Sequence, residues 1–319
     1  MPQVRRLAIL DDYQGVTLGL GPWERLPHVE TVVFRDTLAD EDAIAARLRG
    51  FDAVLAMRER TPFPASLLAR LPDLRLLITT GERNRGIDAA ACARQGITFC
   101  GTPSFGAPTV DLTWGLILGL ARRIPAQQAA LRAGQWQTGI GMGLEGKTLG
   151  LLGFGKLGRR VAAVGKALGM RVVAWSTNLS AEAATAGGAE LVSKEALFRD
   201  SDVVSIHYIL SERSRGLVGA AELALMPPHA ILVNTSRGPI VDQDALLAAL
   251  HEGRIGGAGI DVYDVEPLPA GHPLLAAPRT LLTPHLGYST EENYRAYFAG
   301  AVEAIEAYEA GAPIRVITG

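Results

Sequence analysis

Three short stretches hold the side chains best able to do chemistry: Asn234-Thr235-Ser236-Arg237-Gly238, Asp261-Val262-Tyr263-Asp264-Val265-Glu266-Pro267 and Thr283-Pro284-His285-Leu286-Gly287. Each follows a short apolar run of the kind that forms a buried strand. All three should therefore sit at strand C-termini, the side of an open α/β sheet where ligands bind. Histidine is the side chain suited to give and take a proton near neutral pH, and His285 is placed for that role. Arg237 offers a planar, bidentate cation for carboxylate and carbonyl oxygens. Glu266 suits a partner that favours the imidazolium. Hydride transfer to a keto group needs these parts: a proton for the developing alkoxide, a positive group for the substrate oxygens, and a nicotinamide set against the carbon. Singly, the histidine after Thr-Pro reads more readily as a cap, and the glutamate before proline as a loop charge. The set on adjacent strand ends points to a reaction.

The element that must position a nicotinamide runs from Lys147 to Trp175. An apolar run, Leu149 to Leu152, leads into Gly153, Gly155 and Gly158. An amphipathic segment from Lys156 to Leu168 follows and is stopped by Gly169. A second apolar run, Val172 to Trp175, closes the unit. Strand, glycine turn, helix, strand is the context that gives a GxGxxG match its meaning. The first glycine permits the turn, the second lets backbone approach a pyrophosphate near Lys156 and Leu157, and the third lets helix and strand pack closely. The free N–H groups and dipole at the helix start attract the phosphate charge. At the end of the second strand an NAD site usually has an acid for the adenosine ribose. Here stand Trp175-Ser176-Thr177-Asn178, so Ser176 and Thr177 meet that ribose and NADP is admitted beside NAD.

Before this unit, apolar runs at 5–12, 31–34, 53–57, 74–79 and 96–100 alternate with helical patterns, including 40–48. That alternation means a parallel sheet with crossover helices. Two of its strand-end loops are rich in charge. Arg58-Glu59-Arg60-Thr61 and Gly81-Glu82-Arg83-Asn84-Arg85-Gly86 read either as solvated surface or as an anion pocket. A boundary follows at 101–108, then a helix over 109–123 whose apolar positions run almost all round it. Such a helix should be deeply buried or sit in a subunit contact. Residues 124–146 look less regular and read as a surface loop or an arm around a partner subunit. Further strands are expected at 203–207, 230–234, 257–262 and 280–283, with helices at 193–198 and 243–250. A last helix should span 291–309, and the apolar tail 314–317 should return to the first sheet.

At 319 residues the chain exceeds a single core, so two domains are the default. A net charge of −2 gives no reason to expect nucleic acid or an anionic membrane. No apolar run approaches membrane-spanning length, and the N-terminal apolar stretch is too short for a secretory signal. Two cysteines, Cys92 and Cys100, suggest buried thiols in a reducing compartment, with no metal site. A cytoplasmic protein is expected.

The stretches LLGFGKLG, NTSRGPIVDQDALLAAL, GGAGIDVYDVEPLP and LLTPHLGYST, in this order, resemble the D-2-hydroxyacid dehydrogenase family, which includes phosphoglycerate dehydrogenase and the glyoxylate/hydroxypyruvate reductases. The resemblance spans essentially the whole chain and is sharpest from Leu144 to Thr290. It implies a Rossmann-type doubly wound parallel sheet, residues 102–289, inserted into a smaller flavodoxin-like α/β substrate domain, residues 1–101 and 290–319. It implies a homodimer that interconverts a 2-keto acid and a D-2-hydroxy acid with NAD or NADP. By resemblance, Arg237 binds substrate, His285 is the acid and base, and Glu266 is its partner. Asp261 and Thr235 would orient the nicotinamide carboxamide, and His207 and Tyr208 would line the cofactor with Ser236 and Gly287. Gly81, Glu82 and Arg83 fall where relatives offer backbone N–H groups to the substrate carboxylate, with Arg58 nearby in the same reading.

The chain departs from the family pattern after Gly81, where small or apolar residues are usual. Arg83 could hold a second anionic group, or Glu82 and Arg83 could pair. Glu266 argues against formate dehydrogenase chemistry, which resembles this chain but places glutamine there. The last helix leaves no room for the regulatory C-terminal domain of some phosphoglycerate dehydrogenases. Two readings of another class are a corepressor that senses the dinucleotide, like the C-terminal-binding proteins, and a dinucleotide-binding protein without turnover.

Overall fold

The computed structural model describes residues 3–318. Residues through Phe105, together with Ser289 onward, form one compact unit, and Gly106–Tyr288 form the other. The first unit is built on five strands: β1 (Arg6–Ile9), β2 (Glu30–Val33), β3 (Ala53–Ala56), β4 (Leu76–Thr79) and β5 (Thr98–Gly101). Their order is β2-β1-β3-β4-β5, every pair parallel. This is the flavodoxin-like order, with its switch point beside β1. β3 and β4 are buried throughout, as strands covered on both faces must be.

Helix starts in this unit are fixed by acids. Asp40 accepts from Ala43 N–H (3.0 Å) ahead of the helix Glu41–Arg47, and Asp88 from Ala91 N–H (2.8 Å) ahead of Ala89–Arg94. The last helix, Glu291–Glu309, begins at the Thr290 cap and buries Tyr297, Phe298, Ala301, Val302 and Ile305. It packs on β4 and β5. The tail then runs antiparallel along β5. Gly101 N–H donates to Arg315 O (3.0 Å) and Ile317 N–H to Phe99 O (2.8 Å). Cys92 and Cys100 are buried free thiols, and burial pushes both up to about 11.

The second unit holds β6 (Thr148–Leu152), β7 (Arg171–Trp175), β8 (Glu190–Leu191), β9 (Val203–Ile206), β10 (Ile231–Asn234), β11 (Gly257–Ile260) and β12 (Thr280–Leu282). The order is β12-β11-β10-β9-β6-β7-β8, all parallel. From β6 the chain builds toward β7 on one side and later toward β9 on the other. The C-terminal ends of β6 and β9 therefore border the switch point where a dinucleotide lies in this architecture.

The helix Ala107–Ala121 packs on β10 and β11, burying Val110, Trp114, Leu116, Ile117 and Ala121. It is not buried all round: Gly115 and Leu118 are exposed. The stretch after it is more regular than its sequence implies, since Ile124–Arg132 forms a helix behind a left-handed Arg123 (φ 54°). None of that helix is buried, and Trp136 and Ile140 beyond it are 77% and 94% exposed.

Candidate active site

The glycine turn after β6 is shaped by close approach. Gly153 has φ +96°, and a Cβ there would lie 2.5 Å from the carbonyl oxygen of His207 at the end of β9. A Cβ on Gly158 would lie 2.5 Å from the Gly153 carbonyl. Gly155 is different, for a Cβ there would meet nothing within 4 Å. The space beside Gly155 opens in front of the first turn of the helix Lys156–Ala167, whose N–H groups have no intrahelical acceptor. That is a cradle a side chain would fill, and it fits a pyrophosphate.

The far end of the crevice is organised by Tyr208. Its ring stacks on Trp175 (6.1 Å, 15°), its hydroxyl lies 2.6 Å from Thr177 Oγ1, and its carbonyl accepts from Ser236 Oγ at 2.5 Å. His207 Nε2 lies 2.9 Å from Ser205 Oγ, and burial pushes its imidazole down to about 4. Thr235 Oγ1 meets Thr113 Oγ1 of the buried helix at 2.9 Å.

The three chemistry-bearing stretches do follow β10, β11 and β12. His285 Nδ1 is 2.5 Å from Glu266 Oε2, while Glu266 Oε1 accepts from Tyr263 N–H at 2.9 Å. Both carboxylate oxygens are thus committed. Burial pushes the Glu266 carboxyl up, but the His285 hydrogen bond and charge, the Tyr263 N–H and the Arg237 charge outweigh it, and the net direction is down. His285 has φ +52°, a left-handed conformation that costs a non-glycine residue about 1 kcal/mol. Fully buried Asp261 holds that turn, accepting from Leu286 N–H (2.7 Å), Gly287 N–H (3.0 Å) and Thr283 Oγ1 (2.6 Å). Burial raises its carboxyl above the usual range, and those hydrogen bonds pull against it. The Tyr288 ring stands edge-on to His285 at 5.5 Å. Arg237 Nη1 donates to Ser236 O (2.7 Å), and Asn234 ties the loop by donating to Arg237 O (2.9 Å) and accepting from Ser236 N–H (3.0 Å).

In the first unit, Arg58 has φ +52° and donates from Nη1 to Thr80 O (3.1 Å), so its guanidinium lies over Gly81. The Gly81 N–H is taken by Thr102 Oγ1 (2.8 Å). Among the described residues no acceptor faces the N–H groups of Glu82 and Arg83. Both side chains are exposed and no ion pair joins them, so the pairing suggested by their adjacency is not formed.

Residues 114–287 match the family model "D-isomer specific 2-hydroxyacid dehydrogenase, NAD binding domain". A glyoxylate reductase of Aeropyrum pernix is 41% identical over 255 residues, covering 77% of this chain and 76% of that protein. The chain belongs to the D-isomer specific 2-hydroxyacid dehydrogenase family. A hydroxypyruvate reductase of Thermotoga maritima is 35% identical to this dehydrogenase over 258 residues, covering 79% and 83% of the two chains. The crystal structure of a phosphoglycerate oxidoreductase from Vibrio cholerae o395 superimposes with TM-score 0.91 at 37% identity, covering 97% and 100%. The dehydrogenase is accordingly an NAD(P)-dependent oxidoreductase that interconverts a 2-keto acid and a 2-hydroxy acid, and the corepressor-like reading is not favoured.

Sequence reasoning missed the supports of the site. Asn234, Tyr263, Thr283 and Thr113 hold the loops and carry no charge to draw the eye. The first three lie inside the quoted stretches, where their adjacency to Arg237, Glu266 and His285 was a signal. Thr113 had none.

Proposed function

We propose that this dehydrogenase reduces a 2-keto acid to its D-2-hydroxy acid, reversibly, with Arg237, Glu266 and His285 as the reacting set. The observation that carries this is the His285–Glu266 pair, with the second glutamate oxygen held by a backbone N–H. When bound, the reduced dinucleotide supplies hydride to the carbonyl carbon. Arg237 binds the substrate carboxylate and carbonyl oxygens through its planar donors. His285 donates its Nδ1 proton in a hydrogen bond to Glu266 and gives the proton on Nε2 to the forming alkoxide. The ionised Glu266 stabilises the imidazolium that precedes this transfer. Asp261 fixes the turn that carries the histidine and, with Thr235, orients the carboxamide.

Residues 1–101 and 290–319 act as the substrate-binding domain, and 102–289 bind the dinucleotide. In the first of these, Arg58 and the N–H groups of Glu82 and Arg83 attract the substrate carboxylate. Gly81 serves by its conformation, its own N–H being engaged. Ser236, Gly287, His207 and Tyr208 line the dinucleotide. The exposed apolar residues around Trp136 and Ile140 support a homodimer, and the buried thiols suit the cytoplasm.

The test follows nicotinamide absorbance with glyoxylate, hydroxypyruvate, pyruvate and bulkier keto acids against both cofactors. Oxidation with at least one acid is expected. Dinucleotide binding without turnover on the whole panel would defeat the reading. His285→Ala should lower kcat by about 10²–10⁴ while dinucleotide binding survives.

A further inference from the structure

The helix Ala107–Ala121 does more than cover β10 and β11. It carries Thr109 and Thr113, and side chains four residues apart share one helix face. Thr109 Oγ1 donates to Gly287 O (2.8 Å). The N–H of the same glycine is held by Asp261, so the turn after β12 is gripped at both ends of one residue. Thr113, fully buried, reaches the loop after β10. Its Oγ1 donates to Thr109 O at 2.7 Å and lies 2.9 Å from Thr235 Oγ1. A hydroxyl has one proton to give and two lone pairs to offer. A carbonyl can only accept, so the Thr113 proton goes to Thr109 O. In the contact between the two threonines it is then Thr235 that donates. The Thr235 hydroxyl, on a residue only 7% exposed, is left with lone pairs alone. A threonine bonded back to the carbonyl four residues earlier gives a helix no gain and tends to bend it. A valine has the same branched shape, so what the Thr113 hydroxyl adds is its contact with Thr235.

We propose that Thr113 is a positioning residue for the nicotinamide: by taking the Thr235 proton it makes the Thr235 hydroxyl a pure acceptor, which selects the NH2 end of the cofactor's carboxamide over its oxygen. This rests on the reading that Thr235 orients that carboxamide. A primary amide carries two donors on nitrogen and an acceptor on oxygen, and its two ends are close in size. Shape alone therefore separates them poorly. A hydroxyl free to rotate would take either end, since it can donate or accept. A hydroxyl whose proton is committed takes only the N–H. The ring joined to that amide is thereby held in one orientation, as hydride transfer from a fixed carbon requires. Thr109 acts in parallel on the turn that carries His285, so one helix face holds the loops of both the cofactor and the acid.

Calorimetric titration of the full chain tests this without turnover. The probes are the tighter-binding of NAD and NADP, its 3-acetylpyridine analogue, in which a methyl replaces the carboxamide NH2, and the matching ADP-ribose or 2′-phospho-ADP-ribose, which lacks the nicotinamide. The unaltered protein is expected to bind the dinucleotide at least about threefold more tightly than the analogue, as a neutral hydrogen bond implies. Thr113→Val should remove most of that margin and leave binding of the ADP-ribose unchanged. Thr113→Ala removes the hydroxyl by a second route and should lose the margin likewise, while Thr113→Ser keeps the hydroxyl and should retain it. A role in folding alone would lower the melting temperature of Thr113→Val and leave the margin where it was, which overturns the proposal. Thr235→Val should also lose the margin. A margin lost in Thr235→Val but kept in the Thr113 variants overturns the proposal while the carboxamide reading stands. No margin in the unaltered protein overturns both, and failure of every probe to bind removes the dinucleotide reading with them.

Discussion

At the scale of single residues, the site depends on where two titrating groups keep their charge. Glu266 is held ionised by its partners, so its folded value lies below the unfolded value of 4.5. A carboxylate depressed in this way stabilises the fold above that pH and loses the contribution as pH falls through the folded value. Glu266→Gln should therefore melt lower than the unaltered protein at neutral pH, and the two melting curves should converge in acid; a gap constant with pH would contradict this. His207 titrates in the other chemical sense. The fold keeps it neutral down to about 4 against 6.5 unfolded. The unfolded chain thus binds the extra proton between those values, and stability should fall as pH drops from 6.5 toward 4. His207→Gln should flatten that part of the melting-temperature profile. Of these roles, those of Glu266 and His285 were legible in their residue types and order. That of Thr113, which meets Thr235 Oγ1, was not, because a neutral side chain within an apolar helix carries no signal of its own.

At the scale of elements, the glycine turn separates folding from binding. Gly153 cannot accept a side chain: φ is +96° and backbone lies 2.5 Å away. Gly153→Ala should cost about 2 kcal/mol or more in stability by chemical denaturation. Gly155 opens on space, with no atom within 4 Å of a built Cβ. Gly155→Ala should leave the unfolding midpoint nearly unchanged and weaken dinucleotide binding, read by calorimetry. Equal effects of the two substitutions on stability would dissolve this distinction. The sequence pattern marked these glycines because strand, turn and helix follow one another within a single local stretch. The helix Ile124–Arg132 escaped the same reading because none of its residues is buried, so it has no apolar periodicity toward a core of its own chain.

At the scale of the whole molecule, two parallel sheets are specified by alternating short apolar runs and helical patterns, and this was plain before any coordinates. What the pattern could not give was the use of the exposed arm. Light scattering should report a dimer, and Trp136→Asp should shift it toward monomer with kcat retained per folded chain. A monomeric unaltered protein would defeat that expectation. The discontinuity of the first unit has a consequence for biosynthesis. The helix Glu291–Glu309 and the strand-like tail that cover β4 and β5 are made only after the whole intervening unit, Gly106–Tyr288. At ribosomal speeds of about 5–20 residues per second, those strands wait on the order of ten seconds or longer for their cover. Through that interval the apolar strands of the first unit and the open edge of β5 are what a nascent-chain chaperone would find, while the intervening unit can already complete itself.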